Sequence, residues 1–298
     1  MPHYIPRVRE WPPITEPELH ERLALDDERF KGFVLDFVSS FEQRELTPKL
    51  LERAFAYPWK RPARSYLLRG GGEVQLLEEL DPDAREALIA QFARDRHPIL
   101  AFGSNAAPGR LKFKFGHFPD EADRTVLVLT GVLHDLDVGA AASPTVYGSM
   151  PGALFSSPDT AVRAAVLWVT AAQATQLTWS ELSYRLGRLD RAHFEVDEAE
   201  VEVKNVFGYV NRFGALHLEG EPVAMAAIPA ENRRAPALTQ EELLERAAAL
   251  ILAPGASAED LVRAIFDDTP AVVARASEHV WPLGRQLDPE LWTPYPNG

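Results

Sequence analysis

A short apolar run, Ile99-Leu100-Ala101-Phe102, opens into Gly103-Ser104-Asn105-Ala106-Ala107-Pro108-Gly109, whose residue types suit capture of a carboxylate or an oxyanion. A glycine just after a strand lets backbone N–H groups turn outward, and Ser104 and Asn105 add short polar side chains beside them. Gly-Ser-Asn is equally an ordinary turn tripeptide, so the segment alone does not separate a binding loop from a connection. Further along, Trp168-Val169-Thr170 leads to Leu177-Thr178-Trp179-Ser180-Glu181-Leu182-Ser183-Tyr184. Here Thr178-Trp179-Ser180-Glu181 reads as a capping box, with Glu181 at N3 reaching back to the N-cap backbone. Glu181 and Arg185 are also spaced i, i+4, a surface pair worth about 0.2–0.5 kcal/mol.

Other constellations fit chemistry less well. Gly148-Ser149-Met150-Pro151-Gly152 is not a nucleophile elbow: the Ser directly follows the first Gly, and a Pro stands where the elbow helix should begin. The eight histidines form no H-x-x-x-H or H-x-x-E-H pair. His134-Asp135-Leu136-Asp137 offers metal-ligand types, but Asp and His in a turn after a strand more often face solvent. Arg69-Gly70-Gly71-Gly72 lacks both a following Lys-Ser/Thr and a G-x-G-x-x-G spacing, so it reads as a turn with glycines at positive φ. Trp168, Trp179 and Trp281 read as core or interface aromatics.

The loop and the later segment, taken in order, resemble the gamma-glutamylcyclotransferase superfamily, in which a strand runs into Tyr-Gly-Ser-Asn; here the aromatic is Phe102. Glu181 with Tyr184 three residues on resembles that family's later segment. Between them, Ser143-Pro144-Thr145-Val146-Tyr147-Gly148 resembles its mid-domain strand. The resemblance covers about 97–230. It implies an α+β fold, a mixed β-barrel with an embedded helix. It also implies Glu181 as general base and Phe102, Gly103, Ser104, Asn105, Tyr147 and Tyr184 as substrate-binding residues. No metal or cofactor is implied. The reaction it implies is removal of a proton from an α-amine, attack on a γ-glutamyl carbonyl, and release of an amine and 5-oxoproline. Because attack is intramolecular, the site has only to hold the folded conformer. A base at Glu181 should sit partly buried beside aromatic walls.

These residues need elements to hold them. Residues 1–96 read as a helical region. In 17–41, Leu19, Leu23, Leu25, Phe30, Phe33, Val34, Phe37, Val38 and Phe41 recur at roughly helical spacing. Thr47-Pro48 and Asp81-Pro82 each cap a further helix, and 65–68 with 73–76 predict a small hairpin. Residues 97–230 read as the barrel domain, with strands at 125–132, 145–148, 163–170, 200–209 and 223–228 and one helix at 172–189. Residues 231–298 read as a C-terminal helical region. Thr239-Gln240-Glu241-Glu242 is a capping box, Ser257 and Pro270 open two more helices, and a Pro-rich tail beyond Trp281 wraps the surface.

Composition sets the outer limits. The 298 residues carry no cysteine, which removes disulfides, thiolate metal sites and a cysteine nucleophile. A net charge of −13 argues against a nucleic-acid surface. The short basic clusters Lys60-Arg61-Pro62-Ala63-Arg64 and Lys112-Phe113-Lys114 read as solvated faces or helix-end charge. The best apolar run, 164–172, falls short of the roughly 18 residues a membrane helix needs. The N-terminus has no signal-peptide pattern, so the expected location is cytoplasmic. The expected partner is a small γ-glutamyl amide or related amide, with no nucleic acid and no membrane. Two rival readings stay open: a binding or interaction protein whose helical arms serve homo-oligomerisation, and an amide hydrolase in which Glu181 activates water.

Overall fold

The computed structural model describes residues 3–4, 10–198, 201–204 and 206–296. Its frame is a pair of long antiparallel strands, Val126–Ala140 and Gly152–Val169, in register from Leu127↔Trp168 to Ala140↔Gly152. The register shifts between His134 and Leu136, where Asp135 takes a φ of 61°. His97–Ala101 pairs antiparallel with the far end of Gly152–Val169 and parallel with Phe207–Asn211, which pairs in turn with Tyr184–Arg188. On the other side of Val126–Ala140 lie Tyr66–Leu68 and His193–Val196.

Over 126–131 and 164–169 the pair is buried on both faces, so these stretches read as mostly apolar runs rather than as alternation. Period-2 geometry nevertheless sorts their side chains into two cores. Leu100, Leu127, Leu129, Val166 and Trp168 pack into one, with Phe30, Ile89, Leu243, Leu261, Val272 and Trp281 from helices at both ends of the chain. Ile99, Ala101, Val126, Val128, Leu167 and Val169 pack into the other, with Leu19, Leu111, Phe115, Ala174 and Leu177. The molecule is thus a mixed α+β fold in which helices cover a large mixed sheet from both sides. The first core runs without a break across positions 96 and 230.

Ten helices occur among the described residues. The capping residues place many of them as expected: Thr47 before Pro48–Phe55, Asp81 before Pro82–Asp95, Thr239 before Gln240–Ile251, and Ser257 before Ala258–Asp267. The hairpin Tyr66–Leu68 with Val74–Leu76 forms around the glycines, Gly72 at φ 87°. The 17–41 pattern divides into Pro17–Ala24 and Asp27–Ser39, because Asp26 caps a new start with its side chain.

Four expectations are corrected. The sheet is not a closed barrel among the described residues: its pairing path has two ends, His3–Tyr4 and Thr293–Pro294. The two long strands each serve different partners along their length, so the sheet branches instead of closing. Residues 145–148 are a turn, closed by Gly148 at φ 86° and by the Thr145 hydroxyl accepting from Ser149 N–H. The expected strand at 223–228 shortens to Ala224–Met225. The expected strand at 200–209 is two, Val201–Lys204 and Phe207–Asn211, and Glu200 lies outside the described residues. A helix that the loop reading missed, Pro108–Phe115, begins three residues after Asn105. Among the described residues no helix is long and apolar enough to cross a membrane.

Candidate functional site

His97–Ala101 ends in Phe102-Gly103, and the chain tightens into a single 3-10 turn, Ser104–Ala106, before Pro108 starts the next helix. Two side chains from outside fix this loop. The Tyr66 hydroxyl donates to the Ala106 carbonyl at 2.8 Å, and Arg61 Nη1 donates to the Phe102 carbonyl at 3.1 Å. Gly103 is required by a close approach: a Cβ there would lie 2.4 Å from the Tyr57 hydroxyl oxygen.

Glu181 arrives from the other direction. Its helix runs Ala171–Ser180 and is capped by Thr170 and Gln173 as a reciprocal box, so the helix starts and ends earlier than the sequence pattern suggested. Thr178 is inside this helix and donates back to the Ala174 carbonyl, which leaves Glu181 as the C-terminal cap rather than N3. Tyr184–Arg188 then departs as a strand. The expected Glu181–Arg185 pair does not form, since Arg185 bonds Asp27 at 3.1 Å and the Leu25 carbonyl.

Glu181 and the loop meet. Asn105 Nδ2 donates to Glu181 Oε1 at 3.0 Å, across 76 positions of sequence. Lys114 Nζ donates to the same oxygen at 2.8 Å and to Asn105 Oδ1 at 2.6 Å. Lys114 is therefore not the solvated basic residue its sequence context implied: its side chain is 2% exposed, against 15% for Glu181. Burial holds the Lys114 ammonium below the ordinary lysine value, opposed by the Glu181 charge beside it. Glu181 Oε2 has no hydrogen bond among the described residues, so one carboxylate oxygen is clamped and the other is not.

Phenols surround this triad. Burial pushes the Tyr147 hydroxyl up to about 12, with the Glu181 charge adding to the effect. Burial is also the main cause that raises Tyr57, Tyr184 and Tyr209; Tyr147 adds next at Tyr57 and Tyr57 next at Tyr184, with the Glu181 charge adding at all three. Tyr184 donates to the Gly152 carbonyl at 2.7 Å, and Tyr57 accepts from the Gly152 N–H at 3.1 Å. Arg110, one helical turn before Lys114, completes the polar set; its Nε is buried without a hydrogen-bond partner.

Of the residues singled out from sequence, Asn105 and Glu181 touch, Gly103 and Ser104 sit beside them in the same loop, and Tyr147 and Tyr184 lie within electrostatic reach. Phe102 is buried, its ring against Gly152, the residue that Tyr57 and Tyr184 bond. Tyr57, Arg110 and Lys114 were missed. The i, i+4 spacing of Arg110 and Lys114 after the Pro108 start was their available signal; Tyr57 had none.

Chemically, the arrangement offers a fixed carboxylate, a buried ammonium, a short polar loop and several protonated phenols. That set can hold an anionic or amide-bearing ligand and move a proton at Glu181 Oε2. Comparison with family models, with curated proteins and with solved structures finds no match to this chain.

Proposed function

We propose that this protein is a gamma-glutamylcyclotransferase-like enzyme acting on a γ-glutamyl amide or a closely related amide, on a fold related to that family. The meeting of Asn105 with Glu181 at 3.0 Å carries the reading, because two segments far apart in sequence supply the loop and the base of one site. In this reading the substrate carboxylate lies at the Gly103-Ser104-Asn105 loop, with Arg110 adding positive charge. Glu181 Oε2 takes a proton from the α-amine. The amine attacks the γ-carbonyl, the amide C–N bond breaks, and the departing amine takes up a proton as 5-oxoproline leaves. Lys114 and Asn105 act as positioning residues, holding Oε1 so that Oε2 faces the substrate. Where Phe102 lacks the family's hydroxyl, Tyr57 brings a phenol to the motif glycine from another element.

The test is a mass-spectrometric screen of γ-glutamyl amines and peptides. Release of 5-oxoproline that depends on Glu181 supports the cyclotransferase. Free glutamate instead of 5-oxoproline identifies an amide hydrolase, and ligand recovered intact identifies a binding protein.

A further inference from the structure

We propose that His134, His193 and Glu195 form a site for a divalent transition metal, zinc by preference, made of residues outside the Glu181 site. The antiparallel register sets Val132 against Glu195 and Leu133 against Phe194, which brings His134 opposite His193. Alternation along a strand puts Glu195 on the same face as His193, two residues on. One ligand atom from each of the three residues lies within 4.8 Å of the others.

The distances suit a shared ion. His134 Nε2 lies 3.4 Å from Glu195 Oε2, and His193 Nε2 lies 3.6 Å from Glu195 Oε1. Tetrahedral zinc with bonds of about 2.0–2.1 Å sets its ligand atoms about 3.3 Å apart, so small side-chain rotations would seat it. The imidazoles stack with centroids 4.9 Å apart and planes at 27°, directing ring nitrogens at one carboxylate. His134 Nε2 is buried and makes no hydrogen bond, and the Glu195 carboxylate at 3.4 Å is the charged group beside it. The pairing is irregular at this point, with the register shifting after His134 and Asp135 at φ 61°.

Two imidazoles and a carboxylate are donors for Zn²⁺, with Cu²⁺ and Ni²⁺ as competitors. Partial exposure gives the ion a path in and leaves a fourth position to water. A bound ion would tie the Val126–Ala140 strand to His193–Val196, independently of chemistry at Glu181.

The test is zinc titration of the metal-free full-length protein by calorimetry, with cobalt absorption as a second readout. One equivalent of zinc should bind, raise the Tm, and give a tetrahedral cobalt band. His134→Ala with His193→Ala should weaken binding at least about 10-fold, and Glu195→Gln, which keeps both rings, should weaken it too. The exposed His117→Ala should have no effect. No zinc binding by the parent, or unchanged binding in folded variants, would overturn the site.

Discussion

At the scale of single residues the site turns on a buried ion pair whose two ends are not equally dispensable. Lys114 is buried more deeply than Glu181, so its charge depends on that carboxylate. In Glu181→Gln the partner that raises the Lys114 value is gone, and the folded-state value falls further below the ordinary 10.5. Between those two values the unfolded chain binds the extra proton, so stability rises with pH in that window. We therefore expect the Tm deficit of Glu181→Gln to shrink as pH goes from 7 toward 10, measured by thermal melts in matched buffers. A deficit that stays constant would show that Lys114 is not held charged against burial. Above pH 10 the sign reverses for both proteins, because Tyr147 resists ionisation up to about 12 in the fold but not in the unfolded chain.

The elements that carry these residues were legible to different degrees. Helix starts were read well where a side chain does the capping, as at Thr47, Asp81, Thr239 and Ser257, because that bond is local. The Glu181 helix shows the limit. Thr178-Trp179-Ser180-Glu181 has the residue types of a capping box, yet Thr170 and Gln173 cap first, and packing of Ala174 and Leu177 fixes the helix around them. The barrel expectation failed for a tertiary reason, since nothing local to 126–140 tells which partners each end of the strand will take. Asn105 and Glu181 were named from sequence, but Lys114 was passed over because its partners, Asn105 and Glu181, come from other elements. The loop gives the test at this scale. Gly103→Ala pushes a Cβ against the Tyr57 oxygen and should cost about 1–3 kcal/mol of stability. Tyr57→Phe in the same background should recover part of that loss, and urea melts that show no recovery would mean the tight contact is not with Tyr57.

Among the described residues the terminal helices share a core with the central strands and so belong to the frame of the site. Arg44, near the N-terminus, donates to the Val146 carbonyl at 2.6 Å and to Thr269 at 3.0 Å, joining the Tyr147 turn to a C-terminal helix. Val262 fills the space beside Gly148 in that turn. Removing residues 239–298 should leave a chain without cooperative unfolding rather than a free central domain; a sharp two-state melt of the truncated protein would contradict this. Product analysis decides whether this frame holds Glu181 as the base of a cyclisation. Incubation of the full-length protein with γ-glutamyl amines should release 5-oxoproline, and Glu181→Gln should slow that release at least about 100-fold while remaining folded. Release by folded Glu181→Gln at the parent rate, or no 5-oxoproline from any γ-glutamyl amide, would rule out that role for Glu181.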